Sequence, residues 1–598
     1  MKSKIIIFLG FIIIYTNTFS QNNNGEKLDE QVVIIYNEYS PVLKDANRIQ
    51  ILPTIVDTVK IQNKFDYNML PTLFKTTFTP PPIGVATLKG ETLKPIDNGM
   101  IKLGYGNYVT PYIEAFYNNK RNADYDFGAY IKHHSSHGKT NNSEKQKIYN
   151  GFANTILDVY GKKFLPSSTL SADLGFTSNI INYYGYDPNY VVNLVGITAP
   201  RDRNEMEDFN IMRLKANIDL SSNKTTKNRF DYNINFGYKY LFTNLNEETE
   251  NKNRQNKIDL KANLNKTIKI HRFGLDAGMR FSQMSIDTLN SNKQMFLDIN
   301  PYYKIYAKSL QVTLGVNMTE DFQLSDTVKK FHIYPNLFIQ HNIGNIFIVY
   351  AGFKGYMERN DLDNIAYKNQ FINVFNNYQN TNFAQVIELG FKGYPTKFLY
   401  FNIAGNYSKI DNMPYFVNDT SLTLQNKFLI EYANTERFSG YAEIALRDFY
   451  KFTVSLSAHY YYYHYVRQEY ENQFLKPWHC PNFDLSLITS YQFNEKLNFG
   501  INFQFIGKRY ARDYKLITAV DEYGIPILDP NGNEMQSLVI EANKLKPIVD
   551  ISLFGEYQIF HNLSAFLYLN NITAQKQYLW NNYQSVGFNF LIGAKYVF

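Results

Sequence analysis

From about residue 99 to the C-terminus, apolar and polar residues alternate in long runs. Phe230, Tyr232, Ile234, Phe236, Tyr238, Tyr240 and Phe242 are interleaved with Asp231, Asn233, Asn235, Gly237 and Lys239. Leu497, Phe499, Ile501, Phe503 and Phe505 alternate in the same way with Asn498, Gly500, Asn502 and Gln504. At the end of the chain Phe588, Phe590, Ile592, Ala594, Tyr596 and Phe598 alternate with Gly587, Asn589, Leu591, Gly593, Lys595 and Val597. A period of two puts every second side chain on one face of a strand. Soluble sandwiches alternate too, but their strands usually run about 5 or 6 residues. These segments run about 10 to 14, and a tilted strand of about 9 to 11 is what a bilayer requires.

The pattern predicts strands at 100–106, 111–119, 124–135, 148–160, 168–183, 208–220, 229–243, 254–268, 272–286, 294–307 and 311–323. It continues at 330–342, 345–358, 384–394, 399–413, 428–446, 451–466, 480–493, 497–510, 548–559, 563–573 and 587–597, about 22 in all. Short connections at 308–310, 342–345, 494–496 and 560–562 alternate with long ones at 184–207, 358–383 and 511–547. Membrane barrels have short periplasmic turns and longer outer loops. The one short connection on the expected outer side is 106–111. The fold class predicted is all-β: a transmembrane antiparallel β-barrel of about 22 strands with both termini periplasmic.

Composition supports this. Aromatic residues make up 16% of the 598 residues and charged residues 19%, with a mean hydropathy of −0.36. Disordered chains are poor in aromatics, and a helical membrane protein needs repeated apolar runs of about 20 residues. Nor does the chain have the Leu/Ala/Glu/Lys-rich helices expected of a large cytosolic enzyme. Lys2 and Lys4 precede the apolar run 5–15, with Thr18 and Ser20 before Gln21. That is the order of a secretory signal peptide, expected over residues 1–20. The net charge of +7 is spread over the whole chain, so no nucleic-acid footprint is expected. A single cysteine, Cys480, excludes an internal disulfide and a thiolate metal cluster.

The last residues resemble the closing segment of TonB-dependent receptors: a strand ending in Asn570-Asn571, a loop carrying Tyr578, Trp580 and Tyr583, and a strand begun by Gly587, containing Gly593 and ending in Phe598. The resemblance spans roughly 99–598. It implies an outer-membrane receptor, with Phe598 resembling the terminal signal read by the barrel assembly machinery. The N-terminal part departs from the family. Residues 21–98 are shorter than a full plug domain and carry seven of the 20 prolines, which disfavours long helices and central strands. Within it Val32, Val33, Ile34 and Ile35 resemble a TonB box, a segment that pairs with TonB by strand addition. The same run also fits a strand docked in the lumen or on a periplasmic partner. As a whole the sequence resembles plug-poor TonB-receptor-like barrels of Bacteroidota.

Chemical motifs are sparse. His133, His134 and His137 fit solvated strand-end residues, or a His134–His137 pair for Zn or Cu. Asp529, Asn531 and Asn533 have the alternate spacing of a calcium loop but lack its later glycine and glutamate, and Asn531-Gly532 is a turn signal. Tyr460, Tyr462 and Tyr465 fit either ligand contact or the aromatic girdle. Lys239, Asp550, Glu556 and Lys595 are expected in the lumen, with no single-sign ring to select ions. No catalytic, cofactor or metal site is expected, and no enzyme activity. The expected partners are outer-membrane lipid and lipopolysaccharide, the assembly machinery, and TonB or a surface lipoprotein. Solute uptake is the leading reading, and a scaffold subunit of an outer-membrane complex is the alternative.

Overall fold

The structure, a computed structural model, describes residues 97–598 apart from 143, 188–197, 224–229, 246–252, 287–290, 324–328, 375–377, 466–475, 519–524, 528–531 and 533–535. Twenty-two strands form one antiparallel sheet closed on itself. The closing seam pairs Gly99–Gly106 with Asn589–Val597, Met100 standing opposite Val597 and Gly106 opposite Leu591. The Phe598 carbonyl accepts hydrogen bonds from Asn98 N–H at 2.6 Å and Gly99 N–H at 3.0 Å, extending the seam to the last residue. Gly104 faces Gly593 across it. A Cβ on Gly593 would lie 2.0 Å from the Leu103 carbonyl oxygen and 2.5 Å from the Phe566 ring, so only glycine fits. Closure removes every edge, and without it lipid would face unpaired backbone groups.

Alternation sorts the two faces of the wall. Leu174, Ile333 and Leu389 point outward and are 63%, 63% and 62% exposed. The neighbouring inward positions carry Asp173 and Gly175, His332 and Tyr334, Glu388 and Gly390. A closed sheet with an apolar exterior and a polar lumen is a transmembrane barrel. Two-residue turns at 269–270, 308–309, 397–398, 450–451 and 561–562 close one end. The long connections 183–207, 359–380, 507–547 and 571–588 lie at the other, as does the short one at 107–109. Residues 99 and 598 sit at the short-turn end.

Several predicted bounds shift, each for a local reason. The strand expected at 148–160 is Phe152–Phe164, because Asn150-Gly151 separates Lys147–Tyr149, which pairs instead with Lys139–Asn141 in a small hairpin. The strand expected to reach 510 stops at Ile506. After Gly507-Lys508 the chain forms a second hairpin beyond the wall, Arg509–Thr518 with Gln536–Leu545. Leu399–Asn418 and Phe428–Phe449, at 20 and 22 residues, rise past their neighbours.

Candidate functional site

On three adjacent strands the inward face is polar until its outer end. The inward sequence runs Asp173, Gly175, Thr177, Asn179, then Ile181; Asn217, Lys215, Arg213, then Ile211 and Phe209; Asn235, Gly237, Lys239, then Leu241. Ile181, Phe209, Ile211 and Leu241 are buried. They form an apolar seat at the outer mouth, and the loop 359–380 folds into it.

That loop carries helix α1 (Leu362–Lys368), capped by Asp361, whose Oδ1 accepts from Asn364 N–H at 3.0 Å. Such a cap contributes about 1 kcal/mol, and seven residues do not hold a helix in isolation. Burial holds it: Leu362, Ile365 and Ala366, with Phe371 and Ile372 just beyond, pack against the apolar seat and Met284. Other outer loops close over the far side. Phe371 stacks on Tyr583 with ring centroids 3.6 Å apart, and Trp580 packs edge-on against Phe416. Polar stitches join the loops. The Tyr183 hydroxyl donates to Ile372 O at 2.9 Å, Asn426 Nδ2 donates to Tyr183 O at 2.6 Å, and the Tyr583 hydroxyl donates to Asn426 O. Buried Arg509 donates to Leu579 O at 2.7 Å and Lys546 O at 3.2 Å, fastening the second hairpin to the last loop. The result is a lid built from several outer loops.

Two titratable groups anchor the lid. His479 is buried with Nδ1 3.0 Å from Phe416 O, while its Nε2 accepts the Asn581 N–H at 3.2 Å. Those partners assign the proton to Nδ1, and burial pushes the imidazole down to about 3. Asp363 meets three cations from the wall: Arg213 Nε at 2.7 Å, Lys239 Nζ at 2.8 Å and Lys257 Nζ at 3.1 Å. Burial alone would raise its carboxyl, but Lys257, Lys239 and Arg213 outweigh that and hold it well below the usual carboxylate range. Asp361 takes Lys257 at 3.0 Å and Arg359 at 3.1 Å.

Beneath the lid lies a cavity of about 980 Å³. Arg213, Lys239 and Asn179 line one wall, Gln504 and Asp550 another, and Asp363, Tyr367, Phe371, Trp580 and Tyr583 come from the lid. Tyr367 is 90% exposed on the surface of α1.

The residues singled out by sequence are placed as follows. Lys239 and Asp550 line this cavity. Glu556 and Lys595 form an ion pair elsewhere on the lumen wall. Tyr460 and Tyr462 are 53% and 54% exposed on the outward face, where Tyr462 lies beside Phe438. Tyr461 and Tyr463 take the inward face with His459, so a solute in the lumen meets these and not Tyr460 or Tyr462. The side chain of Tyr465 lies outside the described residues. His133 bonds Thr155 and Ser135, His134 packs on Tyr112 and Phe152, and His137 bonds Tyr149, so the three point to different partners. Val32, Val33, Ile34, Ile35 and most of 529–533 are outside the described residues. Gly532 has the positive φ, +84°, that a turn favours. The sequence reading missed α1 and Asp363. Its available signal was Asp361 three residues before Asn364 with apolar residues at 362 and 365, a helix start inside a long loop.

No protein-family model and no curated protein sequence matches the chain. Solved structures do. The FrpB iron transporter from Neisseria meningitidis (F3-3 variant) aligns with a TM-score of 0.62 at 11% identity, covering 84% of this chain and 81% of that one. The pyoverdine outer membrane receptor FpvA from Pseudomonas aeruginosa PAO1 aligns at 0.59 and 13%, covering 85% and 79%. The ferric-catecholate import receptor Fiu from K12 E. coli aligns at 0.59 and 10%, covering 84% and 82%. The fold is that of the TonB-dependent receptors. With its apolar exterior, the chain is therefore an integral outer-membrane β-barrel, as the resemblance of its closing segment implied.

Proposed function

We propose that this barrel is an outer-membrane receptor that takes up a solute through its outer mouth. The carrying observation is the lid: several outer loops converge on α1 above a cavity of about 980 Å³ inside the wall. A scaffold needs an outer surface for its partners. It has no use for a hollow roofed by a helix that is salt-bridged to the lumen. Structural neighbours include an iron transporter and a ferric-catecholate import receptor, which makes an iron complex the first solute class to try. Val32–Ile35 are proposed as the segment that engages TonB, with Phe598 as the residue read by the assembly machinery.

The test compares solutes removed from the growth medium by cells making the intact chain, cells lacking it, and cells making a Val33→Pro/Ile35→Pro chain. Proline cannot donate the ladder hydrogen bonds that strand addition requires. The proposal expects one solute to persist in the medium of both altered strains. Equal depletion by all three, with outer-membrane assembly subunits co-purifying with the barrel, would replace uptake by scaffolding.

A further inference from the structure

The inward row through Asp158, Gly175, Lys215, Lys239 and Lys257 sets three lysines directly opposite one another on adjacent strands. Like charges directly opposite destabilise a sheet unless something neutralises them. Lys215 is neutralised within the wall. It reaches across Gly175 to Asp158 at 2.7 Å, and a Cβ at 175 would lie 2.1 Å from Lys215 Cε and 2.4 Å from the Asp158 carboxylate. Lys239, Lys257 and neighbouring Arg213 are different. Among the described residues, every ion pair they make is to Asp361 or Asp363, carboxylates that the outer loop delivers.

We propose that Arg213, Lys239 and Lys257 form an anion seat in which Asp363 is the built-in occupant, and that a carboxylate- or phosphate-bearing solute displaces Asp363 and so unlatches the lid. Calling that occupant a solute for uptake rests on the receptor reading above. The contact geometry is that of a bound oxyanion: one guanidinium holds Oδ1 while two ammonium groups hold Oδ2. Access is provided, because Arg213, Lys239 and Asp363 all line the cavity. With Arg359, four cations surround the two carboxylates of Asp361 and Asp363, so the group keeps a positive excess that attracts anions. Two further charges line the same cavity. Asp550 stands on another wall, and Lys368 is paired with Glu358 at 2.7 Å. Exchange of one oxyanion for another also leaves no buried cation unpaired, whereas lifting Asp363 away without a substitute would.

The test uses the full barrel, purified folded in detergent and titrated with citrate at constant ionic strength. The chain's two tryptophans are natural reporters: Trp580 lines the cavity and Trp478 is buried among the outer ends of the strands. Citrate is expected to shift their fluorescence, while sucrose and matched sodium chloride do not. In Asp363→Asn the internal competitor is gone, so citrate binds about tenfold tighter or more. Lys239→Met weakens the response about tenfold in both backgrounds. Citrate binding to Asp363→Asn no tighter than to the native chain overturns the proposal. If Asp363→Asn yields no heat-modifiable barrel, Lys239→Met decides alone, and an unchanged citrate response overturns it. The assay reads binding in purified protein. Its failure leaves uptake standing, and failure of the solute-depletion test leaves the anion seat standing.

Discussion

The two ends of the barrel are built on different principles. At the short-turn end, the chain reverses in two residues at 269–270, 308–309 and 450–451, with Lys269, Tyr450 and Lys451 in positive-φ conformations. Tyr450 is mostly exposed. At the outer end, loops of up to 25 residues bury a continuous apolar cluster and fasten it with buried polar groups. The difference separates two kinds of stability. The wall is held mainly by its closed ladder of backbone hydrogen bonds. The lid is held by its own small core and by ions anchored in the wall, so it can loosen while the wall persists.

The largest effect should come from breaking the wall itself. Gly593→Leu, or loss of 587–598, should cut heat-modifiable outer-membrane barrel to about a tenth or less, because an unpaired edge in lipid leaves backbone groups unsatisfied. Normal levels would show that closure does not depend on this seam. Next in size is the lid core. Phe428→Ala, at a fully buried position beside Trp580 and Tyr583, should destabilise the lid by about 3–5 kcal/mol. Hydrogen exchange should then rise across 362–372 and 578–584 and stay unchanged in wall strands such as Leu310–Gln323. A rise in both would mean that lid and wall unfold together.

A smaller, pH-dependent effect should come from His479. In the closed lid its imidazole sits at about 3, and in an opened lid it returns to the ordinary value near 6.5. The open form therefore binds more protons between these values. Lid closure is complete above about 6.5 and weakens as pH falls, by at most about 1.4 kcal/mol per unit. Asp363 adds a loss of the same sign, but only below the usual carboxylate range, so the window from about 5 to 6.5 reports His479. His479→Gln should flatten lid hydrogen exchange in that window, and an unchanged slope would assign it elsewhere. The smallest effect belongs to the other end. Tyr450→Asn, at a φ of 50°, should leave thermal stability within about 1 kcal/mol of the native chain, with any gain reflecting relief at a left-handed position. A large loss would mean that this end carries more than its turns.

Much of the wall was legible from residues alone. Alternation over Phe230–Leu245 sets which side chains face lipid, because a period of two leaves no choice of face, and closure follows because 22 such strands in a bilayer cannot leave an open edge. It also placed Lys239, Asp550, Glu556 and Lys595 in the lumen, and it put Tyr460 and Tyr462 opposite Tyr461 and Tyr463. Because both faces of that run are aromatic, local order alone could not say which one looks into the lumen.

The lid was decided by tertiary structure. Nothing near Asp363 in sequence reveals Lys257, some hundred residues earlier, and the pairing exists only because strand register lines up Lys215, Lys239 and Lys257. Ile181, Ile211 and Leu241 read as ordinary ends of alternating strands until α1 covers them. The hairpin Arg509–Thr518 with Gln536–Leu545 is likewise a long-range product, fixed where Arg509 reaches Leu579. The cylinder follows from neighbouring residues, since they set a strand's two faces and a bilayer allows no open edge. Only the fold decided what closes the mouth, because α1 and its ions are stable solely in contact with residues far away in the chain.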